Sequence, residues 1–191
     1  MRSLLPQAVR YVKCNNRRRL GWLLARHPRL KTLAEGDCSL VWEAHWHNRG
    51  LLPWLLDQGV GPDVPNTAGG TLLMHAAAQD DVALLRLLLD RGADVNRRNE
   101  NGETALSYCC AYDSLACAKL LAERGADVNT VDRGGGSPLD WAVCQSSPEL
   151  REWLVSVGGR RHDDSYGPWP WPPQGNEGAC RPAFDFGRAG S

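Results

Sequence analysis

Apolar residues along the middle of the chain fall into short bursts at helical spacing, separated by polar, glycine-containing stretches. Leu115, Ala118, Leu120 and Leu121 share one face of a helix that runs to Arg124, and Gly125 follows where a left-handed C-terminal residue belongs. The segment from Ala105 to Ala111 is small and apolar, and Thr104 stands before it as an N-cap hydroxyl. Ser147-Pro148-Glu149 opens another helix with a cap, a proline at the first position and an acid in the first turn. Residues 127–135 are polar and glycine-rich, which predicts an extended turn. Each period therefore reads as two short helices and a turn.

The pattern repeats. Gly92-Ala93-Asp94-Val95-Asn96 returns as Gly125-Ala126-Asp127-Val128-Asn129, a shift of 33 residues. Thr71, Thr104 and Ser137 keep that shift, as do Leu73, Leu106 and Leu139, and Leu55-Leu56-Asp57-Gln58-Gly59 maps onto Leu88-Leu89-Asp90-Arg91-Gly92. Independent anchors on one period mark a repeat architecture, in which one unit buries too little surface alone and stacked neighbours share a core.

These residues resemble the ankyrin-repeat family: Gly102-x-Thr104-Ala105-Leu106, a small-residue helix, then Ala118-Lys119-Leu120-Leu121 and the Gly125-Ala126-Asp127-Val128-Asn129 box. The resemblance implies an all-α, ankyrin-type helix-turn-helix solenoid with a disordered C-terminal tail. Its units are 36–68, 69–101, 102–134 and 135–159, with a degenerate capping repeat over 1–35 and a Pro/Gly/Trp-containing tail over 160–191. Departures stand out. The histidine of the family's Thr-Pro-Leu-His tetrapeptide is replaced at Met74, Ser107 and Asp140, so its hydrogen bond is lost or replaced. Asp80 and Asp113 take the place of a glycine between the helices, at a cost that Asp bears better than most residues. The first unit reads Gly59-Val60-Gly61-Pro62-Asp63, a degraded box.

At the N-terminus, Pro6–Lys13 and Arg19–Arg26 read as a further helix pair, ended by His27-Pro28. Residues 1–35 hold nine basic residues and one acid, and the remainder is net negative by the same amount. A positive end on a negative body steers association. The plain reading is a solvated helix face. The functional alternatives are nucleic acid, an anionic membrane surface or a targeting segment. From Gly158 to Ser191, seven glycines and five prolines resist regular structure, and Pro168-Trp169-Pro170-Trp171 favours polyproline II. That stretch is either a ligand for an aromatic-lined groove or a tail packed on the last repeat.

The chemistry is sparse. Seven cysteines without a C-x-x-C pair suit structural thiols in a reducing compartment. His45 and His47 flank Trp46 without an evident third metal ligand, and Gly134-Gly135-Gly136 lacks the lysine of a phosphate loop. The expectation is therefore a non-enzymatic module without cofactor or metal, intracellular, cytoplasmic and monomeric. The family resemblance implies that it binds a protein partner, still unidentified, through turn tips and the ends of the first helices. Carried onto this chain, those positions are His45, Trp46, Gln79, Arg98, Glu100, Asn101, Glu103, Tyr112, Arg133 and Gln145. Trp46 and Tyr112 share a column and have the makeup of interface anchors. Trp42, Trp54, Trp141 and Trp153 fall in apolar columns and are expected in the core. Nucleic acid is not the expected partner, and no apolar run reaches the roughly 18 residues of a membrane span.

Overall fold

Serine, threonine, asparagine and aspartate side chains start most of the helices. In the computed structural model, which describes residues 4–32, 34–35, 38–145 and 147–161, the chain runs through ten short α-helices. The first pair is α1 (Leu4–Lys13) and α2 (Arg17–Arg26), with the Asn16 side chain accepting from the Arg19 amide. His27 ends α2, and a 3-10 turn over Pro28–Lys31 buries Leu30. Ala34–Glu35 (β1) and Cys38–Ser39 (β2) form a two-residue antiparallel ribbon, the one departure from an all-helical chain among the described residues.

Four more pairs follow: α3 (Leu40–His47) with α4 (Leu52–Asp57), α5 (Leu72–Ala78) with α6 (Val82–Asp90), α7 (Ala105–Ala111) with α8 (Leu115–Glu123), and α9 (Pro138–Cys144) with α10 (Pro148–Ser156). Ser39, Thr71, Thr104 and Ser137 cap the first helix of each pair through their hydroxyls. The missing histidine is made good in two units. Ser107 and Asp140 bond back to the Thr104 and Ser137 amides and close capping boxes. Asp80 and Asp113 do adopt the left-handed region between the helices, at φ 52° and 58°.

The first helices form the inner row. α5 packs on α7 and α7 on α9, and α1 packs on α3. Ala76, Ala77, Cys109, Cys110, Ala111 and Ala142 are fully buried, and such small side chains let the α5, α7 and α9 backbones close on one another. The thiols of Cys109 and Cys110 are pushed well above the usual range by burial and stay protonated. α3 stands further from α5, and the gap is filled by rings: Trp42, His45 and Trp46 from α3 meet His75 of α5 with centroids 4.9–5.8 Å apart. Leu84, Leu85, Leu88, Leu120, Leu121, Leu150 and Leu154 bury the outer helices against this row. Each fully buried leucine contributes about 2 kcal/mol of transfer free energy.

The repeated Gly-Ala-Asp-Val-Asn box ties unit to unit. Asn96 accepts from the Asp127 amide at 2.8 Å and donates to the Gly125 carbonyl at 3.1 Å. Asn129 does the same one unit on, with the Arg160 amide and the Gly158 carbonyl. In the degraded first box, Asp63 occupies this column and accepts from the Asp94 amide, but a carboxylate has no N–H to donate. Burial holds the Asp63 carboxyl above its ordinary range. Asp57–Arg91 and Asp90–Arg124 pair at 3.0 and 2.8 Å, again in register with the repeat; as half-exposed pairs each is worth under about 1 kcal/mol.

Three of the four tryptophans expected in the core sit at its edge. Trp42 is fully buried, whereas Trp54, Trp141 and Trp153 are half-buried against the core. The expected disordered tail, with its Pro-Trp motif, falls almost wholly on 162–191, outside the described residues.

Candidate functional site

A column of rings runs along the inner row at the repeat spacing: Trp42, His75, Tyr108 and Trp141. Three of them fasten a loop. Trp42 Nε1 donates to the Val64 carbonyl at 3.1 Å, the Tyr108 hydroxyl donates to Glu103 Oε2 at 3.0 Å, and Trp141 Nε1 donates to Asp132 Oδ2 at 3.0 Å. A second column, Asn66, Asn99 and Asp132, shapes the loops themselves. Asn66 Oδ1 accepts the Ala68 and Gly70 amides, Asn99 Oδ1 accepts the Asn101 and Glu103 amides, and Asp132 Oδ1 accepts the Gly136 amide. A Cβ on Gly136 would lie 2.8 Å from Asp132 Oδ2, which is why the last of the three glycines stands there. Sequence reasoning passed over both columns, although the 33-residue shift displays them.

These loops form one rim of the inner row. Arg98 donates to the Val131 carbonyl, and the Arg133 amide donates to the Asn101 carbonyl at 2.8 Å, so neighbouring tips are tied edge to edge. Arg98, Glu100, Asn101 and Arg133 are exposed there, as expected of tip residues. Glu103 is not. It is only 5% exposed, and its carboxylate accepts from Asn99 Nδ2 at 2.7 Å as well as from Tyr108. Its place on the exposed tip is therefore corrected: the tight turn over 100–102, closed by the Asn99 amide on the Glu103 carbonyl, brings this side chain back inward, toward the phenol that completes its hydrogen bonding. The same carboxylate, together with burial, drives the Tyr108 hydroxyl far above its ordinary pKa.

The other rim is the C-terminal end of the inner helices, where His45, Trp46, Gln79, Tyr112 and Gln145 come in order. Seven-residue helices separate the two rims by about 10 Å. Between them α7 offers no exposed side chain, because all seven of its residues are buried. Gln79 is exposed and Gln145 half-buried. Trp46 and Tyr112 are half-buried: Trp46 stacks on Trp42 with centroids 6.3 Å apart, and Tyr112 stacks on Tyr108 at 6.3 Å with nearly parallel planes. Each anchor thus presents one edge to solvent and leans on a buried ring.

At this rim Arg49 pairs with Asp81, which also caps α6 by accepting from the Leu84 amide at 2.9 Å. Burial alone would raise the Asp81 carboxyl, but that amide and the Arg49 guanidinium hold it below its ordinary range. Burial lowers His45 and His75 from 6.5 to about 4, and the Arg49 charge adds to the effect in both. Both imidazoles are therefore neutral at pH 7. In the unfolded chain they titrate near 6.5, so the stability they confer is full above that pH and is lost as pH falls toward 4. The expected loss is about 2 kcal/mol for the pair, discounted for their partial exposure. Chemical denaturation across that range should show the decline, and the double variant His45→Gln/His75→Gln should flatten it; an unchanged slope would contradict the assignment.

No group of three or more His, Cys, Asp or Glu side chains with metal-binding geometry occurs among the described residues, and His45 and His47 do not converge on a third ligand. A cavity of about 230 Å³ lies at the last helix pair, lined by Asp132, Asp140, Trp141, Val143, Cys144 and Arg161, where Arg161 bonds Asp140 at 2.8 Å. No helix among the described residues is long and apolar enough to cross a membrane.

Helix pairs at a 33-residue period, hydroxyl caps on α3, α5, α7 and α9 and Asx-shaped loops bonded edge to edge define a helical repeat solenoid. Residues 40–132 match the family model for ankyrin repeats, in three copies, and over this span the chain is similar to that family. Comparison with curated proteins found no match. Ankyrin repeats are generally protein–protein interaction modules, and the family is typically non-enzymatic.

Proposed function

We propose that this chain is a non-enzymatic adaptor that holds a protein partner across its two rims. One rim supplies His45, the solvent-facing edges of Trp46 and Tyr112, Gln79 and Gln145; the other supplies Arg98, Glu100, Asn101 and Arg133. The observation that carries this reading is the pairing of a half-exposed aromatic edge with a rigid ring beneath it, at Trp46 on Trp42 and at Tyr112 on Tyr108. An aromatic held in one rotamer loses little entropy on binding, and such residues dominate interface energetics. The tied loops present polar groups in a fixed register, which favours selection among partners by charge. The units 36–68, 69–101, 102–134 and 135–159, capped by 1–35, are the natural bricks of this reading. Buried, unbridged Cys109, Cys110 and Cys117 support an intracellular, cytoplasmic module.

The test uses two exposed positions, Glu100 and Arg133, and one half-buried anchor, Trp46, whose variant is compared with wild type in stability as well as in binding. A partner isolated on the wild-type chain should bind Glu100→Lys/Arg133→Glu at least tenfold more weakly, and Trp46→Ala by about 2 kcal/mol less. Lys119→Glu on the outer face of α8 should bind as wild type, and circular dichroism should match throughout. Loss of binding in the α8 variant with none in the rim variants would move the site to the outer helices.

A further inference from the structure

The outer face of α2 is unlike the rest of the molecule. Leu20, Leu23 and Leu24 point inward and are buried. Arg18, Trp22, Ala25 and Arg26 share the opposite face, and all four are exposed. Trp22 is 63% exposed, more than any other large apolar side chain among the described residues. The Arg26 guanidinium lies over its ring, 5.5 Å from the centroid. The same helix pair carries Arg10 and Lys13 at the end of α1 and Arg17 and Arg19 at the start of α2, with Arg29 in the turn that follows, all exposed.

Neutralisation within the fold is slight. Lys13 pairs with Glu43 at 3.4 Å and Arg17 reaches the Gly50 carbonyl, but Arg10, Arg18, Arg19, Arg26 and Arg29 take part in no ion pair among the described residues. Neither α1 nor α2 contains an acid. An exposed indole costs solubility, and five unpaired guanidinium groups repel one another, so a purely structural face has no use for the combination.

We propose that this face docks the protein on a bilayer rich in anionic lipid. The guanidinium groups meet lipid phosphates and carboxylates, while Trp22 enters the headgroup layer, where its apolar ring and its N–H are both accommodated. The exposed face of α2 carries one aromatic, Trp22, rather than a row of rings for successive bases.

Co-sedimentation of the full chain with vesicles tests this. It should pellet with mixed phosphatidylcholine–phosphatidylserine vesicles and not with phosphatidylcholine alone, and raised salt should release it. Arg18→Glu/Arg26→Glu/Arg29→Glu should cut partitioning about 100-fold or more. Trp22→Ala should cut it roughly tenfold and abolish a blue shift of tryptophan emission on vesicles. Circular dichroism should be unchanged, since every altered side chain is exposed. The proposal is overturned if wild type ignores the anionic vesicles, if the charge-reversed chain binds them as well as wild type does, or if an RNA or DNA oligonucleotide is bound while vesicles are not.

Discussion

Replacing Trp42 by alanine lowers the stability of this protein by about 4 kcal/mol. The indole is 2% exposed, stacks on Trp46, touches His75 edge-on at 5.8 Å and donates to the Val64 carbonyl. Large-to-small substitutions cost most where the surroundings cannot collapse into the space. Here they are held apart, because α3 stands further from α5 than α5 does from α7 and the rings of Trp42, His45 and Trp46 meet His75 across the gap. Trp42→Phe keeps much of the packing but leaves the Val64 carbonyl without its donor, so it should cost about half as much. Urea denaturation followed by circular dichroism reads both numbers. A loss below about 1 kcal/mol for the alanine variant would mean that α3 settles onto α5 and that the rings are filler.

The second large effect is expected at Asn99. Its Oδ1 accepts two loop amides, and its Nδ2 donates to Glu103 Oε2 at 2.7 Å and to the Tyr108 hydroxyl at 3.3 Å. Asn99→Asp retains the first pair of bonds and inverts the second: a buried carboxylate would face the carboxylate of Glu103. We expect a loss of about 3 kcal/mol at pH 7. It should shrink as pH falls and one carboxylate takes up a proton, and it should shrink in Asn99→Asp/Glu103→Gln, where an amide faces the new acid. The equivalent residue one unit on is already an aspartate, yet it fits, because Asp132 accepts on both oxygens, from the Gly136 amide and from Trp141 Nε1. If Asn99→Asp is as stable as wild type across pH, the buried Glu103–Asn99–Tyr108 network is not what holds this loop.

The contrast between those two positions shows where sequence reasoning stops. That a polar side chain recurs at residues 66, 99 and 132 is visible in the letters. Whether it must be amide or carboxylate depends on which donor or acceptor the ring column turns toward it. Glu103 makes the same point. By spacing it is a charged tip residue beside Glu100, but the fold points the two side chains in opposite directions, one into solvent and one onto Tyr108. The left-handed turns at Asp80 and Asp113 were legible because the backbone geometry is local, and so were the hydroxyl caps. The half-exposure of Trp54, Trp141 and Trp153 was not, since it depends on the distance between neighbouring helix pairs.

The amino-acid sequence by itself determined the repeat, its period, the helix pairs and their caps, because each of these rests on interactions within a few residues or on a pattern recurring along the chain. Only the tertiary structure decided how far apart successive inner helices stand, which charged groups are buried, and that an exposed Trp22 sits among unneutralised arginines. The helix spacing is settled between residues about 33 positions apart or more, and the burial of Glu103 by the partners a folded loop brings to it; in both, the volume of a side chain and the partner it finds, rather than its own propensity, set the free energy.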